Sequence, residues 1–207
     1  MNRHPLRKTA DQLAMLETGG EIGDSDFYPT PSWCTEALLA TCPPPAGLRI
    51  VEPAAGTGAI VQVFLAHGRQ VRAVEVRPRA LPFLRELCPS TWGDWLSIAG
   101  AKSDHRLVEA CGGPPEECAI VTNPPFAIAR EFVEATLGHA PWVGMLLRLN
   151  VLGARGWKDL WCSHAPTTLL PLSRRPSFTP DGKTSMDNYA WFIWDCNRPP
   201  LDIRPVG

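Results

Sequence analysis

The segment "LRIVEPAAGTGAIVQVFLAHG" (residues 48–68) changes its hydrophobic period halfway along, and this change indicates the fold. Residues 48–52 form the short apolar run that is typical of a buried strand, whereas residues 58–68 carry apolar side chains at the spacing of a helix. A loop that contains Gly56 and Gly58 joins the two. A strand that passes through a glycine loop into a helix is the repeating unit of α/β proteins.

The rest of the chain repeats this alternation. Further strands are predicted at residues 70–76, 90–94, 118–122, 142–152, 167–172 and 189–195, and further helices from Pro31 and at residues 79–87, 127–140 and 156–165. Such alternation with short links predicts an α/β domain with an open, mostly parallel sheet and helices on both faces. Residues 97–117 look irregular. We expect residues 1–25 to be a mobile arm and residues 26–207 to form a single domain.

Composition excludes several classes of protein. The net charge of −1 over 207 residues excludes a strongly basic field over the whole molecule, so any polyanion contact must come from a local patch. The seven cysteines never form Cys-x-x-Cys, which argues against a zinc site and a disulfide framework and favours a reducing cytosol. No apolar run approaches the ~18 residues of a membrane span. We therefore expect a cytoplasmic protein without a membrane span or a metal.

Ligands of open α/β sheets bind at the carboxyl ends of the strands. The glycine loop there suits a nucleotide-like cofactor, and Glu75 after the second strand can accept two hydrogen bonds from a ribose diol. Asp94 after the third strand can accept from an adenine amino group, and Trp95 can pack on the ring; a turn acid beside a core tryptophan is the alternative interpretation. Val61 replaces the third glycine of Gly-x-Gly-x-x-Gly, so the pyrophosphate signature is incomplete. This favours a cofactor with an adenosine but no pyrophosphate, such as S-adenosylmethionine.

The fourth predicted strand runs into Asn123-Pro124-Pro125-Phe126. A proline donates no N–H and holds the residue before it out of helical conformation, so this backbone is stiff. The Asn123 side-chain oxygen and the Pro124 carbonyl would both accept hydrogen bonds from one incoming –NH₂ group. Phe126 would offer a flat face to the base that carries this amine. The tetrapeptide predicts a clamp for an exocyclic amine.

At this point the sequence resembles a known group of enzymes. "NPPF" together with "EPAAGTG" resembles the amino-methyltransferases of the S-adenosylmethionine-dependent class I fold. "FYPTP" (27–31) is similar to the amino-terminal motif of DNA N6-adenine methyltransferases, and "RPSFTPDGKTSMDNYAWFIW" (175–194) to the carboxy-terminal stretch of their small phage-type members. The resemblance implies a Rossmann-like, seven-stranded sheet in the order 3-2-1-4-5-7-6 with the last strand antiparallel.

The resemblance also implies an activity and a set of site residues. The activity is transfer of a methyl group from S-adenosylmethionine to N6 of adenine in DNA after base flipping, in a bacterial or phage-infected cell. The implied catalytic residues are Asn123, Pro124, Pro125 and Phe126, and the implied DNA-base contacts are Phe126, Arg148, Arg175 and Phe178. The implied cofactor-binding residues are Tyr28, Thr30, Pro31, Glu52, Pro53, Ala54, Gly56, Gly58, Glu75, Val76, Asp94, Trp95 and Asn123.

Two questions stay open at this level. Larger members of the group carry a separate target-recognition domain, which we do not expect here, so sequence selectivity would come from residues 97–117, residues 173–188 or the amino-terminal arm. The clamp would also fit an RNA base or a glutamine side-chain amide, and a nucleic-acid-binding protein that has lost transfer activity is a further alternative.

Overall fold

A single sheet of seven strands forms the centre of the computed structural model, which describes residues 29–100, 104–178 and 185–205. The expected arm at residues 1–25 and Tyr28 lie outside the described residues. The strands are β1 (Arg49–Glu52), β2 (Val71–Glu75), β3 (Ser90–Trp92), β4 (Cys118–Thr122), β5 (Trp142–Arg148), β6 (Thr168–Pro171) and β7 (Tyr189–Asp195). The helices are α1 (Ser32–Thr41), α2 (Ala59–Ala66), α3 (Leu81–Leu87), α4 (Trp95–Ala99), α5 (Asp104–Cys111), α6 (Ala129–Thr136) and α7 (Lys158–Ser163).

The strand order is β3-β2-β1-β4-β5-β7-β6, which confirms the predicted topology. Strands β1 to β5 pair in parallel, and β7 runs antiparallel to both β5 and β6, so the last strand is the reversed one as expected. The chain proceeds outward from β1 to β3 and then returns to place β4 on the other side of β1. The carboxyl ends of β1 and β4 therefore flank the switch in strand order, where open α/β sheets bind their ligands.

Alternating side chains of the strands build one apolar core on each face of the sheet. On one face, Val121 of β4 and Trp191 of β7 pack with residues of α1, α2 and α3. On the other face, Ile120 and Phe192 of the same strands pack with residues of α4, α5, α6 and α7. Because both faces are covered, the central strands consist almost entirely of apolar residues, and their sequences lack the apolar–polar alternation of a half-exposed sheet.

Residues 97–117 are the part of the chain that sequence periodicity described wrongly. They contain the end of α4 and the whole of α5, with a short 3-10 helix at Pro115–Glu117. Helix α5 buries Leu107, Ala110 and Cys111, which is the i, i+3, i+4 spacing of a helix face. Asp104 and Arg106 before them and Glu109 among them lower the local hydrophobicity, and this hid the spacing.

The predicted strand at residues 142–152 is also shorter than expected, because β5 ends at Arg148 and a 3-10 helix at Leu149–Gly153 follows. Within the ranges that the structure describes, none of the helices has the length and apolar composition needed to cross a membrane.

Candidate active site

A cleft opens where the carboxyl ends of β1 and β4 meet. It is lined by Pro29, Thr30, Glu52, Ala54, Ala55, Gly56, Thr57, Ala59, Arg77, Asn123, Pro124, Pro125 and Phe126. The glycine loop after β1 and the tetrapeptide after β4 are about 70 residues apart in sequence, yet residues of both line this cleft. The topology thus brings together the two motifs that the sequence singled out.

Asn123 lines this cleft. Its side-chain Nδ2 donates to Thr30 Oγ1 at 3.1 Å, which fixes the plane of the amide. Its Oδ1 is buried and has no hydrogen-bond partner among the described residues. A buried acceptor without a partner costs ~1–3 kcal/mol. A ligand N–H that reached Oδ1 would remove this cost.

The two prolines end the strand at this point. Pro124 is buried, and Pro125 has φ −55° and ψ 128°, an extended conformation that precedes the 3-10 helix Phe126–Ile128. The Pro125 carbonyl accepts from Ile128 N at 3.2 Å. Since neither proline has an N–H, the backbone leaves the sheet directly after Asn123 and turns along the cleft wall.

Two buried carboxyl groups support the glycine loop. Glu75 accepts from Gly56 N at 2.6 Å through Oε2 and from Arg77 N at 2.9 Å through Oε1. Glu52 accepts from Val61 N at 3.1 Å through Oε2. Burial of Glu52 raises the pKa of its carboxyl well above the ordinary value; the bond from Val61 N opposes this shift, and the nearby charge of Glu75 adds to it. The cleft is thus lined by a carboxyl group with a raised pKa, and the neighbouring Glu75 is held by two backbone N–H donors.

The two glycines of the loop have different roles. Gly56 lines the cleft and has φ +53°, a left-handed conformation that favours glycine. Gly58 precedes the first turn of α2 with φ +84°, and a Cβ there would lie 2.8 Å from Leu87 Cδ1 and 3.2 Å from Leu84 Cδ2. Gly56 thus shapes the ligand surface, whereas Gly58 allows α2 to pack closely against α3.

The third strand end differs from the expectation in one respect. Trp95 is only 1% exposed, and its indole Nε1 donates to Thr136 Oγ1 at 2.9 Å, so the ring has no face open to a ligand. Trp95 is therefore a core residue, and the prediction that it packs on an adenine ring is wrong. Asp94 is exposed and caps α4 by accepting from Leu96 N at 3.1 Å. The exposed indole at this sheet edge is Trp92, 61% exposed, which donates to the Val76 carbonyl at 3.1 Å.

Aromatic rings surround Phe126 on the acceptor side. Its centroid lies 5.8 Å from that of Phe178 and 5.7 Å from that of Tyr189. The Arg148 guanidinium carbon lies 4.4 Å from the same ring centroid, and Arg148 Nε is 3.2 Å from Asp187 Oδ2. Phe178 is 7% exposed, so it supports Phe126 from within the core and offers little surface to a base. Of the residues expected to contact DNA, both Arg148 and Phe178 lie against Phe126, and Arg148 is the more exposed of the two.

Four further expected site residues do not line the cleft. Pro31 precedes the first residue of α1, and Pro53 is buried in the turn after β1. Val76 is 54% exposed. Arg175 is exposed, and its Nε donates to Asn188 Oδ1 at 3.2 Å. The structure does not bring these four side chains to the cleft wall.

Sequence reasoning missed Arg77 and Tyr189. Arg77 lines the cleft and pairs with Glu75 at 3.7 Å, and its position two residues after that carboxylate could have suggested this. Tyr189 lies against Phe126 because β7 pairs with β5, and a contact of this kind cannot be predicted from the sequence around either residue.

Comparison with known proteins rests on structure. No protein family model matches the sequence, and no curated protein matches it. Among solved structures, PH1948 from Pyrococcus horikoshii, assigned as an RNA methyltransferase, aligns over 88% of this chain and 96% of its own with a TM-score of 0.61 and 17% identity. An RNA methyltransferase from Salinibacter ruber, solved with S-adenosyl-L-homocysteine, aligns over 84% and 98% with a TM-score of 0.51 and 15% identity.

A modification subunit assigned to a type I restriction enzyme from Vibrio vulnificus YJ016 aligns over 91% of this chain with a TM-score of 0.64 and 14% identity. The alignment covers 48% of that subunit, so this chain corresponds to about half of its length. At these identities the comparisons show the fold. The chain has the Rossmann-like fold of methyltransferases.

Proposed function

We propose that this chain transfers a methyl group from S-adenosylmethionine to the N6 amino group of adenine in DNA. The observation that carries the proposal is the buried, unpaired Oδ1 of Asn123, held by Thr30 in a cleft that the glycine loop also lines. An acceptor without a partner calls for an N–H donor, and an exocyclic amine has two. The stiff backbone of the two prolines next to it keeps this acceptor in place.

The residues present fit the proposed donor. S-adenosylmethionine supplies an electrophilic methyl carbon on a positively charged sulfur, and it also carries an ammonium group. Glu52 and Glu75 provide carboxyl groups at 3% and 2% exposure to balance that charge, and the glycine loop lets the backbone approach closely. Each Glu75 oxygen accepts one backbone hydrogen bond and has a second lone pair for a ribose hydroxyl. Asp94 uses one oxygen for its cap, which leaves the other for an adenine amine.

The chain's own residues would position the acceptor. A base inside a duplex must rotate out of the stack, at a cost of a few kcal/mol. Stacking on an aromatic side chain returns ~1–3 kcal/mol, and the hydrogen bonds at Asn123 add to this. Those hydrogen bonds also hold the amine nitrogen with its lone pair turned from the base toward the methyl carbon. Positioning of the two reactants supplies the rate, and no strong base is needed because the proton leaves after the nitrogen has become cationic.

We propose DNA as the acceptor, in preference to RNA or protein, for two reasons. The segments at 27–31 and 175–194 resemble DNA N6-adenine methyltransferases, and the neighbour from Vibrio vulnificus is a restriction-modification subunit. RNA methyltransferases have the same fold, so an RNA base is the acceptor that the experiment must distinguish.

The test is a direct product analysis. Purified protein is incubated with isotopically labelled donor and, separately, duplex DNA, single-stranded DNA, RNA and a glutamine-containing peptide, and the products are analysed by mass spectrometry. We expect labelled N6-methyldeoxyadenosine from DNA and none from the Asn123→Ala variant. Label in RNA or in the peptide alone would assign a different acceptor. Donor binding without transfer to any of them would contradict the activity itself.

A further inference from the structure

A second cleft shares Phe126 with the cleft described above and is otherwise lined by different residues. It encloses about 240 Å³, and Phe126, Arg148, Asn150 and Trp157 line it together with aliphatic side chains. Pockets for drug-sized ligands run from ~300 to ~1,000 Å³, so this cleft suits a smaller ligand of one ring system. Its wall combines flat aromatic rings, a guanidinium group and a carboxamide.

The aromatic wall of this cleft is rigid. Trp157 stacks on Trp161 with ring centroids 5.1 Å apart and an interplanar angle of 21°, and Trp161 stacks on Phe192 of β7 at 5.6 Å and 20°. Trp161 Nε1 also donates to the Val151 carbonyl at 2.9 Å, which ties the segment after β5 to α7. An indole held in this way loses little conformational entropy when a ring stacks on it.

Arg148 connects this cleft to the proposed acceptor site. Its guanidinium lies over Phe126, and Asp187 holds it from the β7 side. Both Phe126 and Arg148 line the second cleft, and Phe126 also lines the first. A ligand in the second cleft would thus lie directly beside a base held by Phe126. In a nucleic acid, the group directly beside one base is the base of an adjoining nucleotide.

We propose that this second cleft binds the base next to the target adenine in the same DNA strand. Trp157 stacks on that base, and Asn150 and Arg148 supply hydrogen-bonding groups to its edge. The exposed side chains of Arg155 and Lys158 at the rim lie where the phosphates of that strand would pass. This inference rests on the proposed function, and it assigns sequence selectivity to residues 148–158 and not to the segments considered from the sequence.

The experiment measures binding and not transfer. Short single-stranded DNA with one adenine and a fluorescent label is titrated with the full chain in the presence of S-adenosylhomocysteine. Oligonucleotides with an abasic site on the 5′ side, on the 3′ side, or three positions away are compared. For the wild type, we expect the abasic site on one adjoining side to weaken binding about tenfold, the loss of a single base–aromatic stack. The distant abasic site should have little effect.

Trp157→Ala should weaken binding of the intact strand by a similar factor and should remove the effect of the adjoining abasic site, since the stacking partner is then absent. Trp157→Phe should retain the effect. Because Trp157 packs on Trp161, Asn150→Ala serves as a second variant: Asn150 is exposed, and its loss should alter which adjoining base binds best while leaving the melting temperature unchanged.

An adjoining abasic site that weakens DNA binding of the wild type and of Trp157→Ala equally would overturn the proposal. Absence of DNA methylation with the stacking effect intact would contradict the proposed function and not this site. The two failures are therefore distinguishable.

Discussion

At the scale of single residues, the site depends on polar groups whose partners lie far away in sequence. Asn123 and Thr30 are 93 residues apart, and their hydrogen bond leaves one amide oxygen without a partner. Trp95 and Thr136 are 41 residues apart, and their bond gives the buried indole N–H an acceptor within the core. Such pairings decide which of several suitable residues faces the cleft.

The first prediction concerns Asn123. Asn123→Ala removes the unpaired acceptor, so we expect methyl transfer in single turnover to fall by about 10²–10³, the loss found when one transition-state hydrogen bond is removed. The donor dissociation constant, measured by calorimetry, should stay nearly unchanged. Thr30→Val is the matched control: it frees the amide but keeps its oxygen, so the rate should fall less. Equal rates for wild type and Asn123→Ala would refute the role of this side chain.

The second prediction separates two roles of Asp94. The carboxylate caps α4 through Leu96 N and is expected to accept from the cofactor's adenine amine. Asp94→Ala should lose both, which lowers the free energy of unfolding by ~1 kcal/mol and weakens donor binding. Asp94→Ser should keep the cap and still weaken donor binding, because the shorter serine hydroxyl would not reach the adenine amino group of the donor. If calorimetry gives the wild-type dissociation constant for both variants, Asp94 has no part in the cofactor site.

At the scale of elements, the shape of the cleft depends on where strands and helices end. β1 and β4 end side by side, and the glycine loop and the two prolines turn the chain sharply at those ends. Helix carboxyl ends likewise turn the chain sharply, and two of them are followed by a glycine. Gly112 follows α5 with φ +69°, and Gly68 follows α2 with φ +70°, so the two positions share a left-handed backbone.

The third prediction compares these two glycines. At Gly68 a Cβ would meet no atom within 4 Å, whereas at Gly112 it would lie 2.5 Å from Arg72 Cδ. Arg72 donates to the carbonyls of Ala110 at 3.1 Å and Glu109 at 3.1 Å, so displacing it breaks the link between β2 and α5. Gly68→Ala should cost ~1–2 kcal/mol of unfolding free energy from backbone strain alone.

Gly112→Ala should cost that strain and about 1 kcal/mol more for the lost hydrogen bonds. Urea denaturation followed by circular dichroism measures both values. Equal losses in the two variants would show that Arg72 rearranges without cost.

At the scale of the whole molecule, the topology buries two carboxyl groups from neighbouring strands in one site. Glu52 ends β1 and Glu75 ends β2, and both are nearly inaccessible to solvent. Burial and the charge of Glu75 raise the pKa of Glu52, so the free protein binds a proton there more readily than an exposed glutamate would. Only the arrangement of the complete sheet creates this coupling.

The fourth prediction is a proton release on cofactor binding. A cationic donor favours the ionised form of Glu52, so binding lowers the pKa that burial had raised, and a proton leaves. Donor affinity should therefore increase as the pH rises through the raised pKa of the free protein, and it should become constant above that pKa. Calorimetry in buffers of different ionisation enthalpy measures the released proton.

Glu52→Gln should abolish both the proton release and the pH dependence. Glu36→Gln, which alters an exposed carboxylate on α1, should leave them as in the wild type. An affinity that is independent of pH in the wild type would exclude this coupling.

The sequence by itself determined the succession of strands and helices and the two motifs that meet at the cleft. Hydrophobic period and proline or glycine placement are local properties, and they specify element type and the points where strands end. Helix α5 was not predicted, because its charged residues obscured the apolar spacing of its buried face. Tertiary structure alone decided that Trp95 is core, that Arg148 lies on Phe126 and that the pKa of Glu52 is raised, because burial and pairing depend on which distant elements the sheet brings together.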